Sequence, residues 1–346
     1  CPQLLAYFRY LCYNRWENDA GENVARMQTL LKNTNAYRLL KADGESRAFH
    51  HAYLVLFDDS KNLRTAMKTF AKVLFSCDNP TSPAASRVAN LIDTESFADC
   101  LFYPQSDKKF LVEDAERVGE ECLLQPVEGA QKVFVIADFA EANAAAQNKL
   151  LKLLEEPPRG VVFLLGATTA FPVLPTVLSR VKKLEVHPFD TLAVAECLAR
   201  VYGENKFGKD EFALCAAASG GNVGQAQGML EGGTYKSLID DVFALCLANA
   251  SALPALIRRV GETKRKKEML ALFRLVFRDA LLLKTGIREA NIFLRAERLR
   301  LMRVAEKYTA AMLVRAQDEI GNAERDVAFN AVFSQCLEVL LGKISR

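Results

Sequence analysis

Histidine is scarce in this chain. His50, His51 and His187 are the only three among 346 residues, too few for a histidine-based metal site or for several acid–base histidines. The nine cysteines are odd in number and include no C-x-x-C pair, unlike a secreted disulfide framework, so they read as reduced intracellular thiols. No apolar run approaches the roughly 18 residues of a membrane span, and no basic, apolar, small-residue series marks a secretory signal. Charge of one sign is not in excess either. With 45 Lys and Arg against 42 Asp and Glu, any contact with nucleic acid must be local. The expectation is a cytoplasmic chain with no membrane contact. At 50% hydrophobic and 25% charged, it is globular and long enough for two or three cores at roughly 100–200 residues each.

The first half alternates short apolar runs with helical stretches. Candidate strands are Ala52–Leu56, Cys100–Tyr103, Val133–Ile136, Val161–Leu165 and Lys183–Val186, each followed or preceded by enough chain for a helical crossover. An α/β domain over 1–188 with a parallel five-stranded sheet follows. Asn143 is a good N-cap for a helix that runs through Leu150, Leu151, Leu153 and Leu154 and must stop by Glu156, ahead of Pro157 and Pro158. Past Pro188 only helical periodicity remains. Six of the 18 glycines fall between Gly220 and Gly233, marking loops in a small helical unit or a linker after it, and a boundary is drawn near 232. Met269, Phe273, Val276, Phe277 and Ala280 share one helical face; Phe329, Val332, Phe333, Cys336, Leu337 and Leu340 do much the same. Either stripe is first of all a core-packing face.

The stretch Asn148–Pro158, reading N-K-L-L-K-L-L-E-E-P-P, the strand after it, and Leu174–Val181, reading L-P-T-V-L-S-R-V, resemble the AAA+ clamp-loader family. There a helix N-A-L-L-K-x-L-E-E-P-P precedes the sensor-1 strand and a short helix ends in Ser-Arg-Cys. His51–Leu54 resembles the family's entry into its first strand, Lys132–Ile136 its Walker-B strand, and Phe277–Leu281 a stretch of its C-terminal domain. The resemblance spans about 50 to 340 and leaves the first twenty or so residues without a counterpart; whether Cys1–Glu17 is native stays open. It implies an AAA+ domain over 1–188, a helical lid over 189–232 and a helical collar over 233–346.

The departures from the family pattern bear on chemistry. A P-loop needs glycines to wrap phosphates, a lysine to neutralise them and a hydroxyl for Mg²⁺. At those positions stand Phe57, Asn62, Leu63 and Arg64; Lys61 is a candidate substitute cation. The Walker-B strand should end in two carboxylates, but ends in Ala137 and Asp138. Gly224 occupies the place of the sensor-2 arginine. No nucleotide or other cofactor is therefore expected on this chain. Thr168, at the sensor-1 position, reads as a strand-end or capping hydroxyl.

What survives is Arg180, with Ser179 as its motif neighbour. On residue chemistry alone it is one arginine among many, solvated or salt-bridged; by the resemblance it is an arginine finger acting in trans on ATP held by an adjacent subunit. Many family members carry four zinc-binding cysteines after the first helix. Cys77 stands in that neighbourhood, but 78–91 holds none, so zinc is expected to be lost and Cys77 and Cys100 to be small core residues. The basic cluster Arg258, Arg259, Lys264, Arg265, Lys266 and Lys267 is interrupted by Glu262 and Glu268 and lacks interleaved aromatics. It reads as a solvated face rather than a phosphate-binding one, as do Arg295, Arg298, Arg300 and Arg303.

Lost ATP-site residues with a retained finger is the pattern of the family's bacterial delta-prime branch. The implied role is a non-hydrolysing subunit of the DNA polymerase III holoenzyme, a DNA-directed DNA polymerase and nucleotidyltransferase complex. Its implied partners are the tau/gamma ATPase subunits, the delta subunit and, through the assembly, the sliding clamp and primed DNA. The alternatives are a divergent autonomous AAA+ ATPase and a structural AAA+ relative outside the clamp loader.

Overall fold

The computed structural model describes residues 27–46, 48–105, 109–203, 206–233, 235–286 and 292–344. The opening segment to Glu17 lies outside them. The chain divides into two compact units, 1–188 and 189–346.

In the first unit the five apolar runs form the strands β1 (Ala52–Phe57), β2 (Cys100–Tyr103), β3 (Lys132–Ile136), β4 (Val161–Ala167) and β5 (Lys182–Val186). They make one sheet in the order β2-β3-β4-β1-β5, with every pairing parallel. Parallel strands are covered on both faces, so β3 and β4 are buried at every residue. The edge strand β5 instead alternates, burying Leu184 and Val186 while Lys183 and Glu185 face water. Across the middle, Phe134 and Phe163 sit in register and stack at 5.7 Å between ring centroids.

The helix α1 (Asn35–Glu45) precedes β1, and the crossovers are α2 (Leu63–Leu74), α3 (Pro83–Asp93), α4 (Val112–Glu121), α5 (Ala144–Glu155) and the single turn α6 (Pro175–Leu178). Asn143 caps α5, its side chain accepting from the Ala146 N–H, and the helix stops before Pro157 as expected. β1 lies centrally between β4 and β5, yet the chain leaves it for the far edge at β2. That reversal creates a switch point at the carboxyl ends of β1 and β3–β4, where open α/β sheets bind ligands.

The second unit is helical: α7 (Thr191–Tyr202), α8 (Lys209–Ala218), α9 (Val223–Glu231), α10 (Tyr235–Leu247), α11 (Leu253–Val260), α12 (Lys266–Thr285), α13 (Arg298–Lys307), α14 (Ala310–Ala328) and α15 (Phe333–Ile344). The boundary drawn near 232 falls between α9 and α10. Met269, Phe273, Val276, Phe277 and Ala280 are all buried on α12. Asp279, fully buried on the same helix, accepts the backbone N–H groups of Phe293 and Leu294 at 2.9 Å and a 2.7 Å bond from Arg278 Nη1.

One stripe is corrected. Asn330 takes a left-handed φ of 62°, which separates α14 from α15, and Phe329 and Val332 fall in that break at 86% and 57% exposure. The core face begins only at Phe333. Helical spacing in a sequence does not register a helix break that local chain reversal imposes.

Candidate functional site

The segment from β1 into α2 keeps the strand–loop–helix layout of a phosphate loop, but its groups point elsewhere. Phe57 and Leu63 are buried. Asp59, 2% exposed, accepts from the Asn62 N–H at 3.2 Å and from Asn62 Nδ2 at 2.8 Å. The chain's own carboxylate thus stands at the helix N-terminus, where a bound phosphate would need backbone N–H groups. Lys61 lies in the same turn, between Asp59 and Asn62. Arg64 leaves the loop altogether. Its Nε and Nη2 bond Glu95 at 2.7 and 2.5 Å, and its guanidinium also reaches the Pro104 carbonyl at 3.3 Å. These residues do not fit a magnesium–triphosphate.

At the end of β3, Ala137 offers no ligand and Asp138 is half-buried. Burial first and Glu141 second raise the Asp138 pKa; Glu141 itself pairs with Lys109 at 2.6 Å. Thr168 follows β4 directly and is partly buried, and Gly224 is the second residue of α9, bringing no side chain to the sensor-2 position.

Arg180 lies just beyond α6. Its Nη1 donates to the Thr176 carbonyl at 2.8 Å and to Ser179 Oγ at 3.0 Å, and its Nη2 is 2.7 Å from Glu155 Oε1 at the end of α5. The arginine side chain stays 34% exposed. Two further residues that carry no role in the sequence reading shape this site. Gln147, 1% exposed on α5, donates to the Ala142 and Pro172 carbonyls at 3.0 Å and accepts from the Leu174 N–H at 2.9 Å, fixing the start of α6. His51 opens the same edge just before β1; its Nε2 is buried with no hydrogen-bond partner among the described residues, and burial, then His50, lowers its pKa. Between Gln147 and α6, Phe171 projects at 95% exposure.

Strand direction separates the two halves of the chemistry. The loop after β1, Asp138 and Thr168 all follow strand ends, at the carboxyl edge. Arg180 precedes β5, Glu155 precedes β4 and His51 precedes β1, at the amino edge. β1 has six residues, so the edges lie about 20 Å apart at roughly 3.3 Å per residue.

The segment after α2 is tied by ordinary polar bonds. Tyr37 and Lys41 both reach the Asp78 carboxylate, and Lys32 Nζ donates to the Asp78 carbonyl at 2.6 Å. Cys77 is buried, its thiol pushed up to about 11 by burial, and Cys100 is buried in β2. Among the described residues no group of three His, Cys, Asp or Glu could hold a metal ion. In the basic cluster, Arg259 pairs with Asp241 at 2.7 Å and Arg265 with Glu268 at 3.3 Å, while Lys266 and Lys267 open α12. On α13, Arg300 pairs with Asp240 and Glu297; Arg295 lies in the turn before the helix, and Arg298 and Arg303 lie on it.

Residues 32–190, nearly all of the described first unit, match the family model described as DNA polymerase III, delta subunit. Over that unit the chain is similar to the clamp-loader subunits of DNA polymerase III. The DNA polymerase III subunit tau/gamma of Haemophilus influenzae is 28% identical over 171 residues, covering 49% of this chain and 25% of its own length. The subunit gamma of Buchnera aphidicola is 26% identical over 155 residues, covering 44% and 41%. The chain therefore spans less than half the length of those curated relatives. Among solved structures it is similar to a DNA polymerase III gamma subunit-related protein from Thermotoga maritima, with 16% identity and a TM-score of 0.37 over 93% of this chain and 98% of that one. Among the described residues, no helix is long and apolar enough to cross a membrane.

Proposed function

We propose that this DNA polymerase III clamp-loader-family chain acts as a delta-prime-like subunit, which hydrolyses no ATP itself and supplies Arg180 in trans to the ATP of a neighbouring tau/gamma subunit. The observation that carries the reading is the separation of the two sheet edges. Arg180 lies at the amino edge, about 20 Å from the loop where this chain's own phosphates would sit. A side chain cannot span that distance, so a phosphate met by Arg180 belongs to another chain. In this reading 189–232 forms the lid and 233–346 the collar. The delta subunit completes the complex, and the sliding clamp and primed DNA are engaged through the assembly.

A second reading, an ATP-binding gamma-like subunit, is favoured by the names of the curated relatives. The inward-turned Asp59 and the diverted Arg64 speak against it. Reconstitution with cognate tau/gamma and delta subunits tests both. Arg180→Ala is expected to lower DNA- and clamp-stimulated ATPase about tenfold or more while the complex still assembles. Unchanged ATPase in an assembled complex rules out the finger; no assembly with the unaltered chain rules out the clamp-loader role.

A further inference from the structure

Glu155 closes α5 at the negative end of the helix dipole, and Glu156 follows it as the C-cap. A carboxylate there runs against the dipole, and a half-exposed ion pair offsets that by a comparable amount, so the pair with Arg180 contributes little to net stability. Its effect is on geometry. A guanidinium has five N–H donors in one plane. Nη1 uses both of its own on Thr176 and Ser179, and Nη2 faces Glu155. Two hydrogen bonds on Nη1 and the ion pair on Nη2 thus restrain the plane from both terminal nitrogens. Nε–H makes no hydrogen bond among the described residues, so the Nε edge of the guanidinium stays open to an anion.

We infer that Glu155 is the positioning residue for Arg180: it holds the guanidinium plane so that its open Nε edge is presented to an anion from another chain. This rests on the finger reading above. A pre-oriented finger stabilises charge that grows during phosphoryl transfer without reorganising at that moment, so its orienter acts on kcat rather than on the neighbour's ground-state affinity for ATP.

The test uses the reconstituted complex with primed DNA and clamp. Glu155→Ala is expected to lower kcat roughly fivefold to tenfold with the KM for ATP within about twofold, while Glu155→Gln, whose amide oxygen still accepts, keeps at least about half of kcat. In the Arg180→Ala background, Glu155→Ala should add no further loss, since it acts only through that arginine. An unchanged or raised kcat for Glu155→Ala, where Arg180→Ala does lower it, overturns the inference and leaves the finger standing. So does an additive loss in the double variant. If Arg180→Ala itself has no effect, the finger reading falls and takes the positioning role with it. Complex formation by analytical ultracentrifugation accompanies each variant, and Glu155→Gln carries the comparison should Glu155→Ala fail to assemble.

Discussion

Arg64 and Glu95 meet through two parallel hydrogen bonds, Nε to Oε1 at 2.7 Å and Nη2 to Oε2 at 2.5 Å. Lys68, one turn further along α2, reaches the same carboxylate at 2.9 Å, and Lys72, a turn beyond, pairs with Asp93 at 2.6 Å. The cations of α2 thus anchor the end of α3 instead of facing a ligand. With Asp59 occupying the helix N-terminus as well, the isolated chain is expected to show no saturable binding of a fluorescent ATP analogue below about 1 mM, an affinity of roughly 4 kcal/mol. Micromolar, Mg²⁺-dependent saturation would show that the loop opens and takes nucleotide.

Gln147 is the buried amide on which the approach to Arg180 depends. Replacing it with leucine keeps the volume but leaves the Leu174 N–H and the Pro172 and Ala142 carbonyls without their partner. Such a loss typically costs about 1–3 kcal/mol. The expected result is a lower thermal midpoint together with faster amide exchange confined to 172–181. Uniformly faster exchange across the first unit would assign Gln147 a global role instead.

Four of the five strands are legible because strands buried on both faces read as apolar runs, the edge strand β5 by its alternation instead, and α5 because Asn143 and Pro157 mark its two ends. Glu155, Gln147 and His51 were all visible as letters, two of them inside quoted motifs. Their roles were not visible, because each depends on which segment the sheet order brings beside it. One local signal did exist: a glutamate at a helix C-terminus runs against the dipole and asks for a partner. At Phe329 the opposite held, since the spacing was helical but the chain turns at Asn330.

Asp99 gives a pH dependence. It is fully buried and accepts the backbone N–H groups of Val127, Glu128 and Gly129 at 2.6, 2.8 and 2.7 Å. Burial alone would raise its pKa, but those donors, helped by Lys132, hold it below the ordinary aspartate value. A depressed folded-state pKa means that its contribution is fully present above the unfolded value of about 4 and is lost as pH falls through the folded one. Asp99→Asn should therefore destabilise the first unit by about 1–3 kcal/mol at pH 7 and by clearly less near pH 2–3, measured by urea denaturation. An equal loss at both pH values would show that the charge is not what the three N–H groups require.

Two neighbouring glycines separate backbone strain from steric conflict. Gly220 and Gly221 both have positive φ, 60° and 87°. A Cβ at Gly220 would meet nothing within 4 Å, whereas one at Gly221 would lie 2.1 Å from the Phe189 carbonyl oxygen and 3.0 Å from its nitrogen. The Phe189 N–H also donates to the Gly221 carbonyl at 3.2 Å, so that backbone cannot withdraw without losing the bond that ties it to the turn between α8 and α9. Gly220→Ala should cost only the left-handed penalty, about 1–2 kcal/mol. Gly221→Ala adds a displaced backbone to the same penalty and should cost about 3 kcal/mol or more. Urea denaturation of the two variants, followed through the second unit, decides the matter; equal losses would mean that the approach to Phe189 relaxes freely and that only φ restricts these positions.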